Sequence, residues 1–368
     1  MLTLPAIIHY TGFTRLTGIL TSIFILSLYS LSFSILLGYL GLLNFGHALF
    51  FGLGGYTTAY ALNYMGAPYM AAILASLLVG AISGIALSFI VRRVFHGVPF
   101  AFISLAVMLI VYFLYRKREL RLLSGGEQGI NLVVPGSMKA VIFSETLVIL
   151  GAFVVASSVV RAVIASRPLR RGSTAFAPLA LAGVVAVLLA NSWYIEELSL
   201  ESPALRITPN YYFLSLNLLV LSYLFTKRLV ESPVGRVWLA IRENEQRASA
   251  LGFDVFKYKA LAMAMAGSMA ALAGSLYAPF TFNINPDKAF SPLVSVYAII
   301  YSIIGGVWTP LGPILGTGFV VFLERLLADY TGKWSTIIVG AVFIAVMYAM
   351  PRGLAGLLEK APRLRRGR

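Results

Sequence analysis

The sequence predicts an all-α, polytopic membrane protein. Three observations predict it. The 368 residues are 59% hydrophobic and only 12% charged, where soluble domains carry about 25% charged residues. Apolar stretches of roughly 17–25 residues, enough to cross about 30 Å of hydrocarbon, recur along the whole chain. They do not alternate with polar residues as barrel strands must, so they are helices.

Taken in order, the apolar runs place spans at 16–40, 44–64, 69–91, 98–115, 139–165, 176–194, 211–229, 258–282, 289–307, 311–329 and 334–351. That makes about 10–11 transmembrane helices, because the stretch 38–56 reads either as a plain span or as a broken or re-entrant helix. The expected organisation is an N-terminal membrane half over 1–138 with a Gly-rich core helix, an inserted hairpin over 139–194, and a C-terminal membrane half over 195–368. No signal-peptide cleavage pattern stands at the N-terminus, so the first span is expected to act as the insertion signal.

The net charge is +15, but the basic residues cluster at span ends, which fits membrane orientation better than nucleic acid. The polar segment 227–259 carries Lys227, Arg228, Arg236, Arg242, Arg247, Lys257 and Lys259, and the tail after Arg352 is also basic. Both are expected to be cytoplasmic, C-terminus included. Arg92 and Arg93 then fall inside, whereas Arg116, Lys117, Arg118 and Arg121 fall outside and require a folded external element. The side of the N-terminus stays open.

There is no cysteine, which excludes disulfides, thiol nucleophiles and Cys-based metal sites. His47 has only His9 and His96 for company, without ligand spacing, so no metal site is expected. No P-loop is present, and no paired carboxylates or Ser-His-Asp set stand out. The chain is therefore expected not to be an enzyme and to hold no cofactor.

Four segments carry the remaining signals. The first runs from Gly38 to Tyr56 and places Asn44, Gly46, His47 and Gly52 at membrane depth. Glycines permit helix breaks and close packing, while polar groups at that depth line a pathway or bond a neighbouring backbone. The second holds Gly305, Gly306, Gly312 and Pro313, a Gly/Pro-interrupted segment that marks either a transport pathway or a tight turn. The third runs from Ser232 to Gly252 and reads as one amphipathic helix. Ser232 starts it and Gly252 ends it, with Val237, Ala240, Ile241, Asn244, Ala248 and Leu251 on one face. It either lies on the membrane surface or docks a soluble partner. The fourth is an external turn with Gly125, Gly126, Gln128 and Gly129.

Together these stretches resemble the membrane permease of branched-chain amino acid ABC importers, in particular the M-type subunit of the leucine/isoleucine/valine system. The resemblance rests on GYLGLLNFGHALFFGLGGYTTAYAL (38–62), SGGEQGI (124–130) and SPVGRVWLAIRENEQRASALGFDVFKYK (232–259), continuing through IIGGVWTPLGPILG (303–316). It implies a type II-like ABC importer permease in the cell membrane that works by alternating access. It implies a second permease subunit or second copy, two cytoplasmic ATP-binding subunits and an external solute-binding protein as partners, and no nucleic acid. By resemblance, Gly235, Arg236, Arg242, Glu243, Asn244, Glu245 and Gly252 belong to the coupling helix within 230–257, and Asn44, Gly46, His47, Gly52, Tyr56, Gly305, Gly306, Gly312 and Pro313 stand near the path.

Two departures accompany the resemblance. The hairpin at 139–194 is extra, and the fourth span lacks an acid the family often carries there. Sugar, nucleoside or urea-like cargo is the alternative within the superfamily. A secondary transporter is the alternative outside it. That reading calls for an ionisable residue at depth, and the spans offer Glu145 and the adjacent pair Glu324 and Arg325.

Overall fold

A computed structural model describes residues 14–94, 97–117, 119, 124–132, 203–331, 335–349 and 353–356. The predicted hairpin at 139–194 lies outside these residues. The chain divides into two compact units, one of Met1–Thr21 with Pro135–Leu221 and one of Ser22–Val134 with Ser222–Arg368.

Each of the nine predicted spans that fall on described residues contains a helix. Helix α1 covers Thr14–Ser34 and runs on as a π-helical turn, Ile35–Leu40. Helices α2 (Ala48–Asn63), α3 (Tyr69–Ile90) and α4 (Gly97–Arg116) follow. A short strand β1 (Ile130–Asn131) precedes α5 (Pro203–Glu231), α6 (Pro233–Glu243), α7 (Glu245–Ala250) and α8 (Val255–Thr281). Strand β2 (Asn283–Ile284) leads into α9 (Pro286–Phe290), α10 (Pro292–Gly305), α11 (Leu311–Thr331) and α12 (Ser335–Ala349). Among the described residues, 6 helical stretches have the length and apolarity to cross a membrane.

In the larger unit the core is built by small residues. Gly80 on α3 meets Gly267 on α8 backbone to backbone, and Gly54 on α2 meets Ala271 on α8. In a membrane, lipid removes most of the hydrophobic drive between helices, so close backbone approach and van der Waals contact hold them together. The Ala/Gly-rich stretch of α8 supplies that surface, with Ala262, Ala266, Ala270 and Ala273 fully buried.

The structure assigns the ends of this unit. At one end lie α6, the last turn of the α1 helix and the turn after α10. Arg92 also lies there, its guanidinium 4.8 Å from the Phe256 ring centroid at the start of α8. At the other end Arg116 pairs with Glu127 at 2.9 Å and with Asp287 at 3.6 Å. Arg92 and Arg116, one from each basic cluster of the sequence, thus stand at opposite ends of α4.

Three expectations need correction. The helix read as continuous from 233 to 251 is two, because Asn244 leaves helical geometry (φ −160°, ψ 107°) and caps α7 through its side chain, a role Asn fills well. On its buried face Trp238 is fully enclosed, whereas Leu251 is 75% exposed and Asn244 points outward. The span 289–307 is also two helices, separated at Ser291, which accepts from the Leu293 N–H.

Candidate functional site

The break between α1 and α2 is the first feature. Gly41 ends the π turn with φ 73°, a left-handed conformation that costs glycine little. Residues 42–47 then leave the α-helix and turn at 45–47, until Ala48 starts α2. Irregular backbone at membrane depth is tolerated only where the protein itself satisfies it, and here side chains do so. Asn44 Oδ1 accepts from the Gly46 N–H at 2.9 Å, and Ser104 Oγ on α4 accepts from the same N–H at 3.3 Å. The Ala48 N–H donates to Ser295 Oγ on α10 at 2.9 Å. His47 Nε2 is 2.8 Å from Ser32 Oγ, and its ring stacks on Tyr29 with centroids 5.2 Å apart. Asn44 and His47 are fully buried.

The second break lies between α10 and α11. Gly306 adopts φ 102°, and the chain reverses within 306–310. The two helices touch through glycine. A methyl on Gly305 would overlap the Gly312 carbonyl, and one on Gly316 would overlap the Tyr301 carbonyl oxygen. Ser30 ties this hairpin to α1: its hydroxyl is 2.7 Å from Thr317 Oγ1, and its carbonyl accepts from Ser302 Oγ at 3.0 Å. The chain returns here after α12, where the Leu354 N–H donates to the Ile304 carbonyl at 2.8 Å.

One residue joins the two breaks. Arg242, in the last turn of α6, donates from Nη1 to the carbonyl oxygen of Gly38 in the π turn. Its guanidinium carbon lies 3.7 Å from the ring centroid of Trp308, in the turn after α10. Gly41 leaves room for the Arg242 stem. Tyr39 closes the group, donating from its hydroxyl to the Trp308 carbonyl at 3.4 Å. Burial works against the charge of Arg242, and neighbouring Glu243 favours it.

The rest of the α6–α7 segment is divided between anchoring and exposure. Trp238 Nε1 donates to the Tyr258 carbonyl at 2.9 Å. Glu245 forms an ion pair of 2.7 Å with Lys259, which is buried on α8, so this acid ties α7 to α8. Gly235 packs against the Val230 backbone, and Gly252 turns the chain at φ 87°. Asp254 starts α8, its carboxyl held below the usual range by Lys257. Arg236, Glu243 and Asn244 are exposed.

At the other end, Gly125, Gly126 and Gly129 all take positive φ. They shape a turn in which Ser124 Oγ accepts from the Gly126 N–H at 3.1 Å. The turn delivers β1 antiparallel to β2, with Ile130 opposite Ile284 and Asn131 opposite Asn283. Asn283 Nδ2 donates to the Gln128 carbonyl at 3.1 Å and to Asn131 Oδ1 at 2.8 Å. Asn63 donates to the Asn131 carbonyl at 2.6 Å.

The structure therefore brings together Arg242 and the first and second segments, and leaves the glycine turn at 125–129 apart from them. The candidate glycines sit at tight helix contacts. Gly46 abuts the Ser104 carbonyl, Gly52 abuts the Phe290 ring, and Tyr56 stacks on that same ring at 5.5 Å. Sequence reasoning missed Ser32, Ser104 and Ser295 as partners of the first break, and missed Trp308 as the partner of Arg242. Single serines in apolar helices carry no periodic signal. The spacing of Arg242 marked it as polar but not as inward-facing.

The family described as the branched-chain amino acid transport system / permease component matches residues 15–347. The chain belongs to this family. The permease is 24% identical to the high-affinity branched-chain amino acid transport system permease protein LivM of Salmonella typhimurium, over 92% of this chain and 69% of that protein. It is equally similar to LivM of Escherichia coli, over 95% of this chain and 71% of that one. A shorter match, 30% identical over 35% of this chain and 41% of the relative, is to LivH of Escherichia coli. No solved structure is significantly similar. The relatives are permease subunits of transport systems, so this M-type permease is a multi-pass transport subunit and not an enzyme.

Proposed function

We propose that this permease forms part of an ATP-driven import path for branched-chain amino acids, and that the α6–α7 segment is where motion from a cytoplasmic ATPase enters it. The observation that supports this reading is the double grip of Arg242. One side chain holds the end of the α1 helix through Gly38 and the α10–α11 turn through Trp308. Arg236, Glu243 and Arg247 stand exposed on the same segment. A partner gripping that outer surface would displace both helix breaks together, which is what alternating access requires of a lever. The α6 end, the return of the chain at Leu354 and the C-terminus would then be cytoplasmic, in keeping with the basic residues there. The assembly would contain a second permease subunit or copy, two ATP-binding subunits and an external binding protein that meets the β1–β2 end.

The test is uptake by the assembly reconstituted in vesicles with radiolabelled leucine and ribose as competing cargo. The expected result is leucine accumulation that needs ATP and is unaffected by ribose. Accumulation driven by an ion gradient with this chain alone, or preferential uptake of ribose, would overturn the reading.

A further inference from the structure

We infer that the exposed face of α3 and the turn that follows it form a site for one anionic phospholipid. The phosphate sits on Arg92 and Arg93, and an acyl chain lies along α3.

Helix α3 carries no charged residue. Its large side chains Leu78, Ile82, Ile85 and Phe89 are all exposed, Leu78 and Ile82 at 64% each. Their spacing of three and four residues puts them in one stripe on the helix. At 1.5 Å per residue the stripe from Leu78 to Phe89 runs about 16 Å. One leaflet of a bilayer has a hydrocarbon depth of about 15 Å, so the stripe matches the reach of a single acyl chain.

The stripe ends in charge. Arg92 and Arg93 form the short turn after α3, and both are exposed. Packing fixes the first of them at the boundary between apolar and polar surface. The Arg92 guanidinium carbon lies 4.8 Å from the Phe256 ring centroid, and Phe89 meets the same ring edge-on at 5.3 Å. A guanidinium laid on an aromatic face keeps its N–H edge free for an oxyanion. Among the described side chains Arg92 and Arg93 form no ion pair, and Asp254 at the start of α8 is already held by Lys257 at 3.0 Å.

An oxyanion joined to a hydrocarbon chain matches both parts of this surface. Guanidinium groups bind phosphate through paired N–H bonds, and basic residues at a membrane end attract anionic lipid. A zwitterionic headgroup brings its own cation to the arginines and gains less. An apolar partner helix covering the stripe would leave both guanidinium groups without an anion.

Native mass spectrometry of the intact assembly, purified in mild detergent and titrated with lipid, tests this. The probes are phosphatidylglycerol, phosphatidylcholine with the same acyl chains, and glycerophosphoglycerol, which has the headgroup without the chains. The wild type should bind phosphatidylglycerol at least tenfold more tightly than either of the others. Arg92→Gln with Arg93→Gln should remove that preference. Lys227→Gln with Arg228→Gln, an equal loss of charge on the segment leading into α6, should keep it. Equal affinity of the wild type for phosphatidylglycerol and phosphatidylcholine overturns the site, whether or not the variants fold. Equal loss in the two variant pairs also overturns it, since net charge alone would then explain the binding. Glycerophosphoglycerol binding as tightly as the lipid would assign the arginines to a free phosphate ester. Loss of a subunit from the Arg92–Arg93 variant would assign the face to a partner protein, and either result refutes the lipid site.

Discussion

Replacing Arg242 by alanine removes two contacts that join separate parts of the permease. The first is a charge-assisted hydrogen bond to the Gly38 carbonyl, worth about 1.5–3 kcal/mol where the acceptor is buried. The second is the guanidinium over Trp308 at 3.7 Å, worth about 1 kcal/mol at a half-buried site. The expected loss is about 2–4 kcal/mol, since the side chain is only partly shielded from solvent. Denaturation of the purified chain in mixed micelles measures it. A double-mutant cycle with Trp308→Leu isolates the ring contact and should return a coupling of about 1 kcal/mol. Arg242→Lys keeps a donor but lacks the planar face, so it should fall between wild type and alanine. In the reconstituted assembly, Arg242→Ala should lower leucine uptake at least tenfold while ATP hydrolysis continues. Full coupled uptake in Arg242→Ala, or no coupling in the cycle, would refute the view that this residue links the two breaks.

Two further outcomes follow from packing and charge. Gly316→Ala would drive a methyl into the Tyr301 carbonyl, whereas Gly318→Ala on the same helix meets only Ile23 Cγ2 at 3.9 Å. The first should destabilise by about 2 kcal/mol or more and the second should be neutral or slightly stabilising, as read by thermal unfolding in detergent. Glu245→Gln takes its carboxylate from buried Lys259 and should cost about 1–3 kcal/mol, while pairing it with Lys259→Met should recover most of that loss. A double variant no more stable than Glu245→Gln would show that the ion pair is not what anchors α7.

What the sequence determined by itself is the class and the coarse plan. The charge deficit and the length of the apolar runs leave no alternative to membrane helices, because hydrocarbon tolerates only internally bonded backbone. Basic residues sit at helix ends, and Arg92 and Arg116, which the sequence could not place on one side together, stand at opposite ends of α4. Glycine and asparagine near 38–47 signalled a break, since those residues matter where chain geometry is unusual. The split at Asn244 was also within reach, because Asn favours helix starts; its place inside an amphipathic pattern hid it. Only the tertiary structure decided which partners meet. Ser104 and Ser295 satisfy a backbone far from them in sequence, and Arg242 finds Gly38 and Trp308 across comparable separations. Local pattern reports which face of a helix is apolar. It does not report which turn of a distant helix will arrive beside it, because that is set by the simultaneous packing of many small-residue contacts.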